Sequence, residues 1–218
     1  MMSQNLHGIV RCYFTNRDEF HRFIIGLNPE QLAEALEELI ALYAQDKNSS
    51  TLRELITLSI AGYRPHGGKL GFNGENEHGP AEVKPKNIES SSDNKLNGGG
   101  NFTDLTYQRF EKYLAANLTM LVSGFIDGNL IHVLGFPFGC SDFAEHLKAK
   151  LDKFFGGEHQ PGKYLRSAEF SFRHYKNCKD LRVIYFNEEL IDKYKDNISG
   201  DFLNFLIEKT RRQLNDTG

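Results

Sequence analysis

At 218 residues, 39% of them hydrophobic and 25% charged, the chain is long enough for one sizeable core and too short for two full domains. A net charge of −3 argues against a protein that coats nucleic acid through bulk charge, and no apolar run approaches the ~18–20 residues of a membrane span. Cys12, Cys140 and Cys178 stand singly without CxxC spacing, which excludes a cysteine zinc site and a disulfide framework; with no signal-peptide pattern at the start, the expectation is a reducing cytoplasm.

The segment 28–47 opens with Asn28 as cap and Pro29 at the first helical position. Its apolar residues Leu32, Ala35, Leu36, Leu39, Ile40 and Tyr43 recur at three and four, which predicts an amphipathic helix. A second helix runs from Ser50 to the stop signals Gly62 and Pro65, with Glu54 on its polar side. The period then changes. Short alternating stretches near 69–77 and 80–87 flank His78-Gly79, a plausible hairpin pair. Residues 88–101, rich in Ser, Gly and Asn, read as a surface loop, and "NGGGN" within it lacks the Lys-Ser/Thr ending of a phosphate-binding P-loop.

A helix is expected from 104 to 116, capped by Thr103 or Asp104. Two apolar strands then flank Asp127-Gly128, a type I′ turn dipeptide, and should be central because both faces are apolar. A helix capped by Ser141 or Asp142 and ended by Gly156, strands at "SAEFSFRHY" and "LRVIYF", and a closing helix complete the chain. The fold class is α/β (α+β): a central mixed sheet flanked by helices, in one domain spanning 1–218. It divides into an N-terminal helical part (1–48), a core (50–136) and a C-terminal part (137–218).

Charge concentrates on the hairpin "GENEHGPAEVKPKN". Side chains two apart share a face of a strand, so an even-numbered turn puts Asn73, Glu75 and Glu77 on the same face as Glu82, Lys84 and Lys86. A two-residue turn at His78-Gly79 opposes Glu75 to Glu82 and Asn73 to Lys84; a four-residue turn opposes Glu77 to Glu82 and Glu75 to Lys84. Opposed carboxylates repel at ~4.5–5.5 Å, and a divalent cation offsets that repulsion. Mg²⁺ needs only one or two carboxylates besides water and phosphate oxygens, and Lys84 could position the attacking water.

Glu82-Val83-Lys84 resembles the (D/E)xK half of the PD-(D/E)xK nuclease motif, found in type II restriction endonucleases and related DNA-processing nucleases. The order helix 50–62, strand near 69–77, strand near 80–87 with the triplet, helix 104–116 and strand 118–124 is similar to the family's, over roughly a third of the chain. The resemblance implies an endonuclease acting on double-stranded DNA with Mg²⁺ (or Mn²⁺) and no other cofactor, in a restriction-modification setting of bacterial or phage origin. Glu82 would be a metal ligand, Lys84 the catalytic lysine, Glu77 or Glu75 the upstream acid and metal ligand, and Glu54 a further ligand from the preceding helix. Asn73 stands where the family usually has an acid, so either a glutamate has taken over or that acid is missing.

The segment 163–182 carries Lys163, Arg166, Arg173, Lys176, Lys179 and Arg182 against only Glu169 and Asp180, whereas the helix near 30–46 is acidic. Arg166, Arg173, His174 and Lys176, with Lys86, are candidates for DNA contact. Cutting both strands of a palindromic site favours a homodimer.

Overall fold

The computed structural model describes residues 3–45, 50–66, 72–158 and 160–216. Three helices, α1 (Gln4–Thr15), α2 (Arg17–Gly26) and α3 (Pro29–Gln45), build the N-terminal helical part. Asn16 separates the first two: its side chain accepts from the Asp18 and Glu19 amides, both at 3.0 Å. At the start of α3, Asn28 accepts from the Gln31 amide at 2.9 Å and the Gln31 side chain returns a bond to the Asn28 amide at 3.0 Å, a reciprocal cap. The predicted end of this helix at 46–47 and the side chains of Ile40 and Tyr43 lie outside the described residues. Helix α4 (Ser50–Ala61) buries Leu55, Ile56, Thr57, Leu58 and Ser59 and stops at Gly62, whose φ of +76° suits a residue without Cβ.

Six strands form one mixed sheet in the order β1 (Arg64–Pro65), β2 (Gly74–Asn76), β3 (Gly79–Ile88), β5 (Thr119–Ile126), β6 (Asn129–Pro137) and β8 (Arg182–Phe186). Only β3 and β5 run parallel; the other neighbours are antiparallel. A parallel pair needs a crossover, and here it contains β4 (Gly100–Leu105) and α5 (Tyr107–Ala115). Strand β4 pairs with β7 (Leu165–Phe170) in a separate two-stranded sheet. The remaining helices are α6 (Ser141–Phe155), α7 (Ile191–Tyr194) and α8 (Gly200–Asp216). No helix among the described residues is long and apolar enough to cross a membrane.

The central hairpin forms as expected: Asp127 and Gly128 have φ of 50° and 74°, the left-handed pair a type I′ turn requires, and β5 and β6 are buried almost throughout. One face of the sheet packs on α4 through Leu58, Tyr63, Ala81, Val83 and Leu121. The other supports the main core, which includes Phe102, Phe110, Tyr113, Met120, Val122, Phe136 and Phe143.

Four boundaries differ from the sequence expectation. Residues 100–105 form β4 because Phe102 and Leu105, both fully buried, anchor it against β7; the helix therefore starts three residues later, capped by Thr106, whose hydroxyl accepts from the Arg109 amide at 3.1 Å. The polar stretch 88–101 is pinned: Leu96 is 1% exposed, and its amide and carbonyl bond Asn197 O and Ser199 N at 2.8 and 2.9 Å. Cys140, not Ser141 or Asp142, occupies the cap of α6, without a side-chain capping bond. Finally, β7 ends at Phe170 and the chain turns through a 3-10 segment at Phe172–His174, where the strand at "SAEFSFRHY" was expected to continue.

Candidate active site

Strand β3 lies between β2 and β5; β2 pairs with its first residues, Gly79 to Ala81, and β5 fixes the pleat along the triplet, with Glu82 beside Met120 and Lys84 beside Val122. Ala81 and Val83 face α4, and the alternation turns Glu82 and Lys84 toward α5 and β4. Glu82 is 3% exposed, and a carboxylate so enclosed needs both opposite charge and hydrogen bonds. It has both. Lys84 Nζ lies 2.8 Å from Glu82 Oε1 and 4.5 Å from the centre of the Phe102 ring. A guanidinium nitrogen of Arg109 donates to the same Oε1 at 3.1 Å, and the Tyr113 hydroxyl donates to Oε2 at 3.1 Å.

Helix α5 supplies these last two groups from residues four apart, which share a helix face. Arg109 is held in place: its Nε donates to the Tyr113 oxygen at 2.6 Å and a second guanidinium nitrogen to the Thr103 carbonyl at 2.9 Å. Burial first, and the Glu82 carboxylate second, hold the Tyr113 phenol well above its ordinary pKa, so it stays a donor. Two cations and one carboxylate leave this cluster with a net charge of +1.

Asn73 connects a second carboxylate to the same strand. Its side-chain oxygen accepts from the Val83 amide at 2.8 Å, taking the place of a main-chain ladder acceptor where β2 has not yet begun. Its amide nitrogen donates to Glu54 Oε2 at 2.9 Å. Its own main chain donates to Ala81 O and accepts from the His66 amide, both at 2.9 Å. Glu54, from the first half of α4, is thereby tethered to β3 through two short hydrogen bonds.

The other two glutamates of the predicted site do not join it. The hairpin turns at Glu77-His78, one residue earlier than His78-Gly79, so Glu75 opposes Pro80 and Asn76 opposes Gly79. Neither of the two registers that bring a hairpin glutamate opposite Glu82 occurs. Glu77 sits in the turn, its side chain 84% exposed and 3.7 Å from His78, and Glu75 lines an open cavity of about 640 Å³ with His7, Arg11 and Arg64. The Lys69–Gly71 part of the expected first strand lies outside the described residues.

Lys86, next along the Glu82–Lys84 face, lines a cavity of about 330 Å³ with Asn97, Gly99, Gly100, Asn101 and Glu169. The basic candidates lie on β7 and the segment after it. Arg166 stacks toward Tyr164, Arg173 pairs with Asp201 at 2.8 Å, the His174 ring stacks on His146 at 3.6 Å, and Lys176 is exposed.

Among the described residues no group of three His, Cys, Asp or Glu side chains is arranged to hold a metal ion. The donors near β3 are Glu82, Glu54 and the Asn73 amide. As placed, Glu82 is taken by Lys84, Arg109 and Tyr113, and Glu54 meets β3 through Asn73, so these side chains do not fit a Mg²⁺ or Mn²⁺ ion without rearrangement. Sequence reading missed Arg109 and Tyr113. Their signal was an Arg and a Tyr four apart on the helix that follows the triplet strand, a pairing visible only once α5 is known to cross that strand. No family model matches the chain, and no curated protein matches it.

Proposed function

We propose that the chain is a metal-dependent endonuclease of double-stranded DNA, most simply a type II restriction-like enzyme acting as a homodimer. The observation that carries this reading is the buried Glu82–Lys84 contact on β3, two residues apart at 2.8 Å, with Glu54 tethered to the same strand. The succession α4, hairpin, α5 and β5 supports it, following the order that the resemblance implies with β4 inserted before α5.

On this reading Glu82 and Glu54 would hold the ion, Mg²⁺ or Mn²⁺, after Lys84, Arg109 and Tyr113 give up the Glu82 oxygens. When bound, it supplies a more acidic water and neutralises charge on the scissile phosphate. Lys84 holds a proton at Nζ where it can orient the attacking water or stabilise charge developing at phosphorus. The Phe102 ring under its ammonium keeps one side of that group dry. Lys86 and the basic residues of 163–182 would meet the backbone of the duplex.

The test is incubation with plasmid and phage DNA in Mg²⁺ or Mn²⁺. Cleavage is expected, and Glu82→Ala and Lys84→Ala should each lose it by at least ~100-fold. Undiminished cutting by both variants would remove the site assignment. A second reading, a nucleic-acid-binding protein of the same fold without catalysis, is favoured by one observation: Asn73 stands at the usual acid position and its amide engages Glu54. Binding of duplex in EDTA with no nicking in either metal would select it.

A further inference from the structure

Two of the three free cysteines meet in the fold although the chain carries them far apart. Cys140 stands at the cap of α6 with no side-chain capping bond, so its thiol is not spent on the helix end. Its main chain is fixed, the carbonyl accepting from the Ala144 amide at 2.8 Å. Cys178 lies in the turn after the 3-10 segment, its amide donating to the carbonyl of the fully buried Tyr175 at 2.9 Å. The two segments are clasped beside the thiols, where the Asn177 side chain donates to Asp142 Oδ2 at 3.1 Å. Both cysteines pack on the main core, and their side chains hydrogen-bond to each other. Neither belongs to a helix or strand, so closing a bond between the sulfurs asks only two turns to adjust.

We propose that Cys140 and Cys178 form a reversible disulfide when the protein meets a peroxide, with Cys140 the attacking cysteine and Cys178 the resolving one. The proposal is independent of the nuclease reading, which uses neither residue. The roles follow from access: Cys140 is partly exposed, whereas Cys178 is 8% exposed. Burial first, and the hydrogen bond with Cys140 second, push the Cys178 pKa up to about 12, which makes it a poor first nucleophile. The Cys140 sulfur attacks one peroxide oxygen. An S–O bond forms, the O–O bond breaks, and the departing hydroxide takes the thiol proton and leaves as water. The Cys178 sulfur then attacks the sulfur of the Cys140 sulfenic acid. The S–S bond forms, the S–O bond breaks, and the second hydroxide leaves as water with the Cys178 proton. Two electrons pass from the two thiols to hydrogen peroxide, and a small dithiol returns them by thiol–disulfide exchange. The bond ties the start of α6 to the turn that follows His174 and closes a covalent loop around β7.

The test treats the reduced, native full chain with hydrogen peroxide, alkylates it in denaturant and locates each cysteine by mass spectrometry. Untreated protein should carry three alkyl groups and treated protein one, on Cys12, with residues 140 and 178 in one cross-linked peptide lighter by two hydrogens. Dithiothreitol should restore all three. The same treatment in urea should scatter disulfides among the three cysteines, because the fold supplies the pairing. In Cys178→Ser the Cys140 sulfenic acid has no resolving thiol and should be trapped by dimedone; in Cys140→Ser the Cys178 thiol should stay reduced. Circular dichroism checks that both variants are folded, and the wild-type result stands without them. Three alkylatable thiols in native protein after peroxide, a native disulfide through Cys12, or sulfinic acid at Cys140 beside a reduced Cys178 would overturn the proposal.

Discussion

The Asn73 amide donates to Glu54 Oε2 at 2.9 Å while its carbonyl oxygen accepts from the Val83 amide at 2.8 Å, so one neutral side chain joins helix α4 to strand β3. An aspartate could replace only half of this. It could still accept from Val83, but it would present an acceptor to another carboxylate. Asn73→Asp is therefore expected to lower stability in EDTA by about 1–3 kcal/mol, the cost of an unmade bond to a charged group, and to recover most of it in millimolar Mg²⁺ or Mn²⁺. Asn73→Ala should lose a similar amount with no recovery. Thermal melts of both variants with and without metal decide the matter; metal-independent stability in Asn73→Asp would show that Glu54 and residue 73 do not form a cation site.

Lys84 and Arg109 compensate the same carboxylate, and that redundancy separates stability from chemistry at this site. Lys84→Met leaves Glu82 paired with Arg109 and bonded to Tyr113, so the fold should lose no more than about 1–2 kcal/mol. Glu82→Met instead leaves two cations facing each other beside Tyr113 and should cost about 3–5 kcal/mol. Urea unfolding curves check the ranking. A Lys84 variant as unstable as the Glu82 variant would mean that Arg109 does not act as a counter-ion.

Gly100 lets β4 approach β3 where Lys84 emerges. A Cβ there would lie 2.9 Å from Lys84 Cβ and 2.7 Å from the Phe170 ring, closer than packed side chains allow. Gly100→Ala should destabilise the protein by about 1–3 kcal/mol and reduce cleavage more than its stability loss explains, because the neighbours displaced are the Phe170 ring and Lys84. Gly128→Ala, where no atom lies within 4 Å but φ is +74°, serves as a strain-only control. Equal cleavage by both variants, scaled to folded protein, would count against this role for Gly100.

Much of the frame was legible because local pattern and tertiary context agree. Asn28-Pro29, Ser50 with Gly62, Asp127-Gly128 and Gly156 all mark element ends that the structure has. Where one buried residue outweighs its polar neighbours, the pattern misleads: Leu96 docks a stretch that composition reads as a free loop, and Phe102 with Leu105 turns a predicted helix start into a strand. At the site, the period-two alternation was enough to put Glu82 and Lys84 together. It could not locate the turn. A shift of one residue moved Glu75 and Glu77 out of reach, because register depends on which residues close the hairpin and not on the alternation itself. Arg109 and Tyr113 belong to a crossover whose packing no local pattern reveals.

His132 on β6 predicts how the protein responds to acid. The ring is 1% exposed and sits edge-on to Phe202 at 5.0 Å, and neither ring nitrogen has a hydrogen-bond partner among the described residues. Burial pushes its pKa from 6.5 down to about 3. Above pH 6.5 the imidazole is neutral in both the folded and unfolded chains and contributes no pH dependence. Between about 6.5 and 3 the unfolded chain binds a proton that the native state refuses, so stability falls as pH falls, by about 1.4 kcal/mol per unit from this residue. Below that range the native state takes the proton too, and the slope vanishes. His132→Met removes the titration while keeping an apolar filling beside Phe202. Urea unfolding of wild type and variant at a series of pH values from 7 to 4 should show wild type losing stability faster than the variant as pH falls. Parallel curves across that range would mean that the imidazole is already charged or hydrated in the native core.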